Sequence, residues 1–323
     1  MPRQEAVVFP VSLSLSISPQ DVDAGAELTL KAVAECPEEF DLSDEQISFH
    51  DATGREIGSA PLAALEGKDF GAEITVTAPI ELGEYGYGAV LTPAEGEGVA
   101  HAEAKAEAHC TVKAHDAYLN VWNIPSAITA GEAFSFHVGL KCSCGCNLAN
   151  RGFVVRDQAG TVVASATLGE AVWPGTSAVY FAEVQAVAPA DLSLHKWTVE
   201  SDGSATGIAH APGTIDMRVR TVATPDHEIR FEVIDRKSGA PLKGIKLIMG
   251  PYRATTGEDG VALMRVVADH YVLHASGHKC LPYRDHLDAT KPVGLRILMA
   301  EELTQYEFMP RVDQQPSIAE VLT

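Results

Sequence analysis

The densest group of chemically reactive side chains in this sequence is a string of three cysteines separated by single residues, Cys142, Cys144 and Cys146. On an extended backbone, residues two apart share one face at a spacing of about 6.5–7 Å. Gly145 can bend the chain between the last two, so that the three sulfurs converge. Three thiolates can hold a soft ion such as Cu(I), or supply most of a zinc site. The string is therefore a candidate site for zinc or copper.

A zinc ion held by three thiolates needs a fourth ligand, and His137 and His195 are the candidates for it. Two other interpretations of the cysteines stay open. They are either reduced loop thiols without a function, or Cys142 and Cys146 form a local disulfide. The motif is weakly specific, because zinc ribbons pair two cysteine knuckles and this string supplies one.

A second group of nitrogen and sulfur donors lies between residues 270 and 286, and its composition suits a transition metal. Its members are His270, His274, His278, Cys280 and His286. Two of these histidines lie four residues apart on a predicted strand, too far apart for one ion, so the sequence favours strand and turn residues over a metal site. The other histidines are scattered and are interpreted as surface or strand residues: His50, His101, His109, His115, His210 and His227.

Catalytic motifs are missing from the sequence: it has no Gly-x-Ser-x-Gly elbow, His-Glu-x-x-His pair, glycine-rich phosphate loop or dinucleotide fingerprint. Trp122 and Trp173 are candidates for a ligand platform, although packing is the default for tryptophan. An unrecognised hydrolase, acting on carbohydrate or another substrate, would need paired carboxylates near these rings. An acidic run lacks the spaced loop of a calcium site and is interpreted as a solvated surface. It consists of Glu38, Glu39, Asp41, Asp44 and Glu45.

Charge and hydropathy exclude further classes. The chain has 323 residues, and 24 Lys and Arg against 44 Asp and Glu give a net charge of -20, which argues against nucleic-acid binding. No apolar run reaches the roughly 18 residues of a membrane span. Residues 11–17 alternate serine with apolar residues, which is typical of a strand rather than a signal peptide. We therefore expect a cytoplasmic protein whose six cysteines are mostly thiols or metal ligands, the alternative being a periplasmic or secreted protein whose signal has been removed.

An internal repeat occupies the first two thirds of the sequence. Residues 24–62 align with residues 130–168 without a gap, and the alignment continues after one short insertion. Identical aligned pairs include Gly25/Gly131, Cys36/Cys142, Gly54/Gly160 and Leu62/Leu168. Because so many turn glycines and apolar positions stay in register, we infer two copies of one domain. The shared cysteine position predicts that Cys142 packs in the core.

Each copy is a series of short alternating segments separated by turns, which predicts an all-β sandwich. In the second copy the predicted strands cover residues 133–140, 152–157, 161–166, 178–184 and 196–200. Residues 51–54 and 157–160 are predicted hairpin turns. Trp197 aligns with Tyr87, and both are expected in the core. With the strings "AGAELTL" and "AGEAFSF" leading into a strand, residues 10–222 resemble bacterial immunoglobulin-like domains, which implies a sandwich fold and no common active site.

Residues 226–300 have a different pattern, in which a "G-x-P-L-x-G" turn is followed by "T-x-x-x-G" and a hairpin. The fitting residues are Gly239, Pro241, Leu242, Gly244, Thr256, Gly260 and Tyr271. The segment is similar to carboxypeptidase regulatory-like (transthyretin-like) domains, although Asp269 and His270 stand where that family usually carries glycine. The resemblance implies a seven-stranded sandwich that serves as an accessory module without catalysis.

The sequence thus predicts three consecutive β-sandwich domains. They cover residues 1–115, 116–222 and 226–300, and an irregular tail covers 301–323. The favoured function is a non-catalytic interaction or structural subunit, which binds a protein partner or its own copies through sandwich edges or the tail. The alternative from another class is a protein that binds or delivers a soft metal through Cys142, Cys144 and Cys146.

Overall fold

A computed structural model describes residues 7–35, 41–43, 45–65, 69–92, 99–203 and 207–300. Cys36, most of the acidic run around it and the tail 301–323 therefore lie outside the described residues. The described residues form 26 β-strands and no helix, so the expected all-β class is confirmed. None of them forms a helix that is long and apolar enough to cross a membrane.

The strands group into three successive sandwiches, which we call the first, second and third sandwich. The first contains β1 (Val7–Phe9), β2 (Ser12–Ser18), β3 (Asp21–Asp23), β4 (Glu27–Glu35), β5 (Gln46–Asp51), β6 (Glu56–Pro61), β7 (Ala63–Ala64), β8 (Asp69–Thr77), β9 (Gly83–Leu91), β10 (Val99–His101) and β11 (Ala104–Lys113). The second contains β12 (Ala117–Trp122), β13 (Ile128–Thr129), β14 (Ala133–Cys142), β15 (Gly152–Arg156), β16 (Val162–Thr167), β17 (Tyr180–Val187), β18 (Leu194–Ser201) and β19 (Gly213–Val222). The third contains β20 (His227–Asp235), β21 (Lys246–Met249), β22 (Tyr252–Thr255), β23 (Val261–Val266), β24 (His270–Gly277), β25 (Cys280–Asp288) and β26 (Gly294–Met299).

The first two sandwiches share one core topology, to which the first adds β7 and a two-stranded β1-β10 sheet. The first pairs the sheets β2-β4-β8-β7 and β3-β11-β9-β5-β6, and the second pairs β12-β14-β17 and β13-β19-β18-β15-β16. In each, a short strand runs parallel to the last strand, at β3–β11 and at β13–β19. In both copies the chain passes from one sheet to the other after the second long strand, β4 in the first and β14 in the second. This strand order is consistent with an immunoglobulin sandwich.

Turn glycines occupy equivalent backbone positions in the two copies, as the repeat predicts. Gly25 and Gly131 have φ values of 74° and 78°, a region that glycine enters without steric cost. The Gly25 N–H donates to the carbonyl of Pro79 at 3.1 Å, and the Gly131 N–H donates to that of Pro189 at 3.2 Å. The internal duplication is therefore visible in the fold as well as in the sequence.

Each sandwich has its own core, because its strands alternate buried and exposed side chains. In β4 the alternate residues from Leu28 to Ala34 are all buried. Tyr87 and Trp197, the aligned aromatic pair, are both buried as expected. The largest fully buried side chains include Phe49, Leu28 and Leu30 in the first core, Trp197, Phe136 and Leu140 in the second, and Phe231 in the third.

The third sandwich has seven strands in the sheets β23-β20-β26 and β22-β21-β24-β25. The residues of the predicted turn motif meet at one end of it. Gly239, Gly244 and Gly260 all have φ values between 70° and 75°. The Thr256 hydroxyl donates to the carbonyl of Leu242 at 2.6 Å and accepts the N–H of Ile245 at 2.9 Å. This buried threonine therefore ties the turn to the start of β21.

Candidate metal centre

Four side chains converge where the second sandwich meets the first: His115, Cys142, Cys146 and His210. One ligand atom from each lies within 4.8 Å of the others. The Nδ1 atom of His115 is 3.2 Å from the Cys146 sulfur and 3.4 Å from the Cys142 sulfur. A tetrahedral zinc ion with bonds of about 2.3 Å to sulfur and about 2.0–2.1 Å to nitrogen sets ligand edges of roughly 3.6 Å. The cluster therefore has nearly the size of a zinc coordination shell.

The two cysteines come from the end of β14 and the turn that follows it. Cys142 is the last residue of the strand, and Gly145, with a φ of 72°, reverses the chain and donates its N–H to the Cys142 carbonyl at 3.2 Å. The turn brings Cys146 back toward Cys142. Cys144 lies on the outer side of this turn, and the exposed Cys144 thiol donates a hydrogen bond to the Asp23 carboxylate at 3.2 Å. The structure thus brings two of the three predicted cysteine ligands together and places the third apart.

The two histidines come from segments that pair with each other. His115 lies between β11 and β12, and it forms a parallel bridge with His210, which precedes β19. The His115 N–H donates to the Ala209 carbonyl at 3.0 Å, and the Ala211 N–H donates to the His115 carbonyl at 2.8 Å. Both histidine side chains are buried. They are therefore not surface residues, as one of the two sequence interpretations had it, but lie in a buried bridge outside the main strands.

Outer hydrogen bonds orient His115 for metal binding. Its Nε2 atom lies 2.8 Å from the Ala24 carbonyl of the first sandwich, so it carries the proton and leaves the Nδ1 lone pair directed at the two sulfurs. Histidines that bind metals usually donate their other ring N–H to a carbonyl or carboxylate in this way.

The Nε2 atom of His210 is available to a metal in one of the two tautomers of the ring. Its Nδ1 atom lies 2.9 Å from the Ile208 carbonyl and 2.9 Å from an Arg151 guanidinium nitrogen, and one ring nitrogen cannot donate to the first and accept from the second. Its Nε2 atom is buried and has no hydrogen-bond partner among the described residues. When Nδ1 donates to the Ile208 carbonyl, Nε2 has a free lone pair. A metal bound there would give this buried atom the partner that it lacks.

Protonation in the cluster suits ligation, which requires thiolate sulfur and neutral imidazole. Burial raises the pKa of the Cys142 thiol, but hydrogen bonds from the backbone of Cys146 and Cys144 and from the Cys146 side chain outweigh it, so that the pKa lies below its usual range. Burial and the neighbouring Cys142 sulfur raise the pKa of Cys146 to about 11, so the two sulfurs share a proton. Burial and the Arg151 charge lower the pKa of His210, which keeps its ring neutral.

A substitution outside the ligand set is expected to weaken zinc binding through the backbone of His210. A Cβ on Gly203 would lie 2.3 Å from the His210 carbonyl oxygen, so in Gly203→Ala the segment that carries His210 must move. We expect zinc affinity to fall about tenfold, as for other changes that disturb ligand orientation. Competition with a chromophoric chelator measures it. Gly152→Ala is the control, because its Cβ meets nothing within 4 Å, and equal affinities in the two variants would contradict the prediction.

The other predicted site residues lie elsewhere. His137 belongs to a half-buried aromatic group on the outer face of the β12-β14-β17 sheet, where its ring stacks on Trp122 at 5.7 Å and meets Trp173 at 5.2 Å. The two tryptophans pack edge to face at 4.9 Å, and Trp122 lies directly over Gly139. The packing interpretation of these tryptophans is therefore the one that their contacts support.

His195, the other candidate fourth ligand, also lies outside the cluster. Its Nε2 atom contacts the hydroxyls of Ser193 and Thr221, both at 3.2 Å. In the third sandwich, β24 and β25 pair across the histidine-rich segment, and its histidines are not among the described residues that converge on one point.

Comparisons with known proteins leave the family open. No protein-family model matches the chain, and no curated protein matches it. Similar solved structures include a tetra-tandem repeat in the extending region of a large adhesion protein, with a TM-score of 0.26 and 14% identity over 86% of this chain and 73% of that one. Red sea bream transglutaminase has a TM-score of 0.35 and 13% identity over 65% of this chain and 31% of that one. The major pilin subunit of Bacillus cereus has a TM-score of 0.21 and 11% identity over 90% and 99%. At these TM-scores the likeness carries no argument about function.

Proposed function

We propose that this chain is a non-catalytic structural or interaction protein in which a zinc ion, bound by His115, Cys142, Cys146 and His210, fixes the joint between the first and second sandwiches. The observation that supports the proposal is the convergence of these four ligand atoms within 4.8 Å. Closed sites with four protein ligands hold structural zinc, whereas catalytic zinc sites keep one position open for water or substrate.

The ligands connect the two sandwiches. His115 lies in the connection itself and donates to Ala24 in the first sandwich. Ile208, two residues before His210, packs against the core of the first sandwich and lies near Gly25. A metal that holds His115 and His210 therefore also holds the segments that dock on the first sandwich. Metal binding to the folded state then opposes opening of the joint.

Burial of the site argues against the alternative of soft-metal delivery. A delivery protein needs ligands that a partner can reach, while His115, Cys142 and His210 are buried and Cys146 is partly buried. We also propose that the protein is cytoplasmic, because a reducing compartment keeps the thiols available to zinc. The same proposal includes interaction with partners through sandwich edges. It also includes kinship of the first two sandwiches with bacterial immunoglobulin-like domains and of residues 226–300 with carboxypeptidase regulatory-like domains.

Limited proteolysis with trypsin tests the role of the joint. Lys113 is an exposed residue at the end of β11, paired with Asp23 and followed by the connection that carries His115. Cleavage after it requires the joint to open. We expect cleavage there to be at least about tenfold faster after zinc is removed with a strong chelator, because the bound metal suppresses the open state.

Lys237 provides the control in the same digestion. It is exposed in a turn of the third sandwich, and its cleavage rate is expected to be independent of zinc. Cleavage after Lys113 at the same rate with and without zinc would contradict the proposed function.

A further inference from the structure

A second site is formed where the second sandwich meets the third. A cleft of about 660 Å³ lies between the outer face of β19 and the turn from β21 to β22. Arg218 and Arg220 belong to one wall, and Arg253 belongs to the other. The segment from Ile124 to Ser126 lies beside them. The cleft has the volume of a small-molecule site, for which about 300–1,000 Å³ is typical.

Strand geometry gathers the positive charge. Arg218 and Arg220 are two residues apart on β19, so both project from the same face at a spacing of about 6.5–7 Å. In the antiparallel pair of β18 and β19, Arg220 lies opposite Leu194 and Arg218 opposite Lys196. Arg253, in the second residue of β22, faces them from the third sandwich.

Acidic side chains do not neutralise these arginines. None of the described residues that line the cleft is Asp or Glu, and no ion pair between described residues involves the three guanidinium groups. The neighbouring Lys196, by contrast, pairs with Asp216 at 2.8 Å. Three uncompensated charges thus meet in one cleft of a chain whose net charge is -20. Such a concave, single-sign surface concentrates counter-ions.

The joint that forms the cleft is packed. Ala127 and Val222, which flank the connection on the side of the second sandwich, contact the core of the third sandwich. The walls that carry the arginines are therefore held in place by apolar contacts rather than by the arginines themselves. A guanidinium group can bind an oxyanion with two parallel hydrogen bonds, and the packed joint keeps the two walls that carry these groups facing each other.

We propose that the cleft binds a small ligand with two or more oxyanion groups, such as phosphate, sulfate or carboxylate groups on one molecule. Two arginines on one wall and a third opposite match several anionic groups better than a single one. The site is independent of the metal centre, which lies at the other joint.

Isothermal titration of the full chain, with and without added zinc, tests this, with fructose 1,6-bisphosphate, sucrose octasulfate and tricarballylate as probes for the three anion types. We expect at least one probe to bind with 1:1 stoichiometry and with an affinity that falls as salt rises. Arg220→Gln and Arg253→Gln are each expected to weaken binding about tenfold or more, because each removes a charged hydrogen-bond donor.

Arg230→Gln is the matched control, since Arg230 is also exposed but lies on β20, outside the cleft. It should bind the probe like the unmodified chain. No binding of any probe at millimolar concentration would overturn the proposal, as would an equal loss of affinity in Arg230→Gln and Arg220→Gln.

Discussion

Cys146→Ser is expected to lower zinc affinity by a hundredfold or more, while Cys144→Ser leaves it unchanged. Cys146 supplies one of four ligand atoms, and loss of a ligand should exceed the 10–100-fold cost of changing an outer-shell partner. A hundredfold loss of affinity corresponds to about 2.7 kcal/mol of metal-linked stability. Competition titration and thermal unfolding at fixed free zinc measure the two quantities.

Cys144→Ser is a stringent control, because it removes a thiol from the same string only two residues away. The Cys144 thiol is exposed and bonded to Asp23 instead of the cluster. Equal loss of zinc in both variants would restore the three-cysteine site that the spacing alone predicts. Purified protein without metal, and with Cys142 and Cys146 joined in a disulfide, would exclude both sites.

Gly260→Ala is expected to destabilise the third sandwich by about 4 kcal/mol or more. Gly260 has a φ of 70°, which costs an alanine about 1–2 kcal/mol. Its Cβ would also lie 2.6 Å from the Val233 carbonyl oxygen and 3.0 Å from the Leu242 nitrogen, so the backbone must move. Losses of this size come from such backbone conflicts. Hydrogen exchange of peptides from β20 measures the loss of protection.

Gly239→Ala separates the cost of the positive φ from the cost of the steric conflict with the neighbouring backbone. Gly239 has nearly the same φ, 72°, but a Cβ there meets nothing within 4 Å. We expect it to cost only the conformational part, about 1–2 kcal/mol. Peptides of the second sandwich should keep their protection in both variants. Similar costs for the two substitutions would show that close packing at Gly260 is not the cause.

The fold was largely predictable because its signals are local. Alternation of serine and apolar residues predicted β2, and the aligned glycines predicted turns that have the same φ in both copies. The predicted strand at 133–140 extends to Cys142 in the structure, and the one at 178–184 runs from Tyr180 to Val187. These shifts are at strand ends, where pairing with neighbours sets the boundary.

Of the four ligands, the sequence predicted the two cysteines and missed the two histidines, because the tertiary fold brings these residues together. The spacing of the cysteines is local information, but it does not show that the Gly145 turn points Cys144 outward. His115 lies 27 residues before Cys142 and is brought to it by the pairing of two loop segments. No periodicity in the sequence reports that pairing.

The repeat also relates the positions of the histidine ligands in the two copies, which the alignment of residues 24–62 did not reach. In the first copy, β1 and β10 pair in parallel with Phe9 opposite His101, and in the second copy His115 lies opposite His210. The sequence aligns Cys142 with Cys36. The first copy thus has a histidine and a cysteine at two of the four positions. A search for positions where the second copy gained metal-binding residues would have pointed to His115.

X-ray absorption at the zinc edge tests the central claim most directly. For protein loaded with one zinc per chain, we expect two sulfur neighbours at about 2.3 Å and two nitrogen neighbours at about 2.0–2.1 Å, with the outer-shell signature of imidazole rings. A shell of three sulfurs, or one of oxygen and nitrogen without sulfur, would contradict the assignment of His115, Cys142, Cys146 and His210 as the ligands.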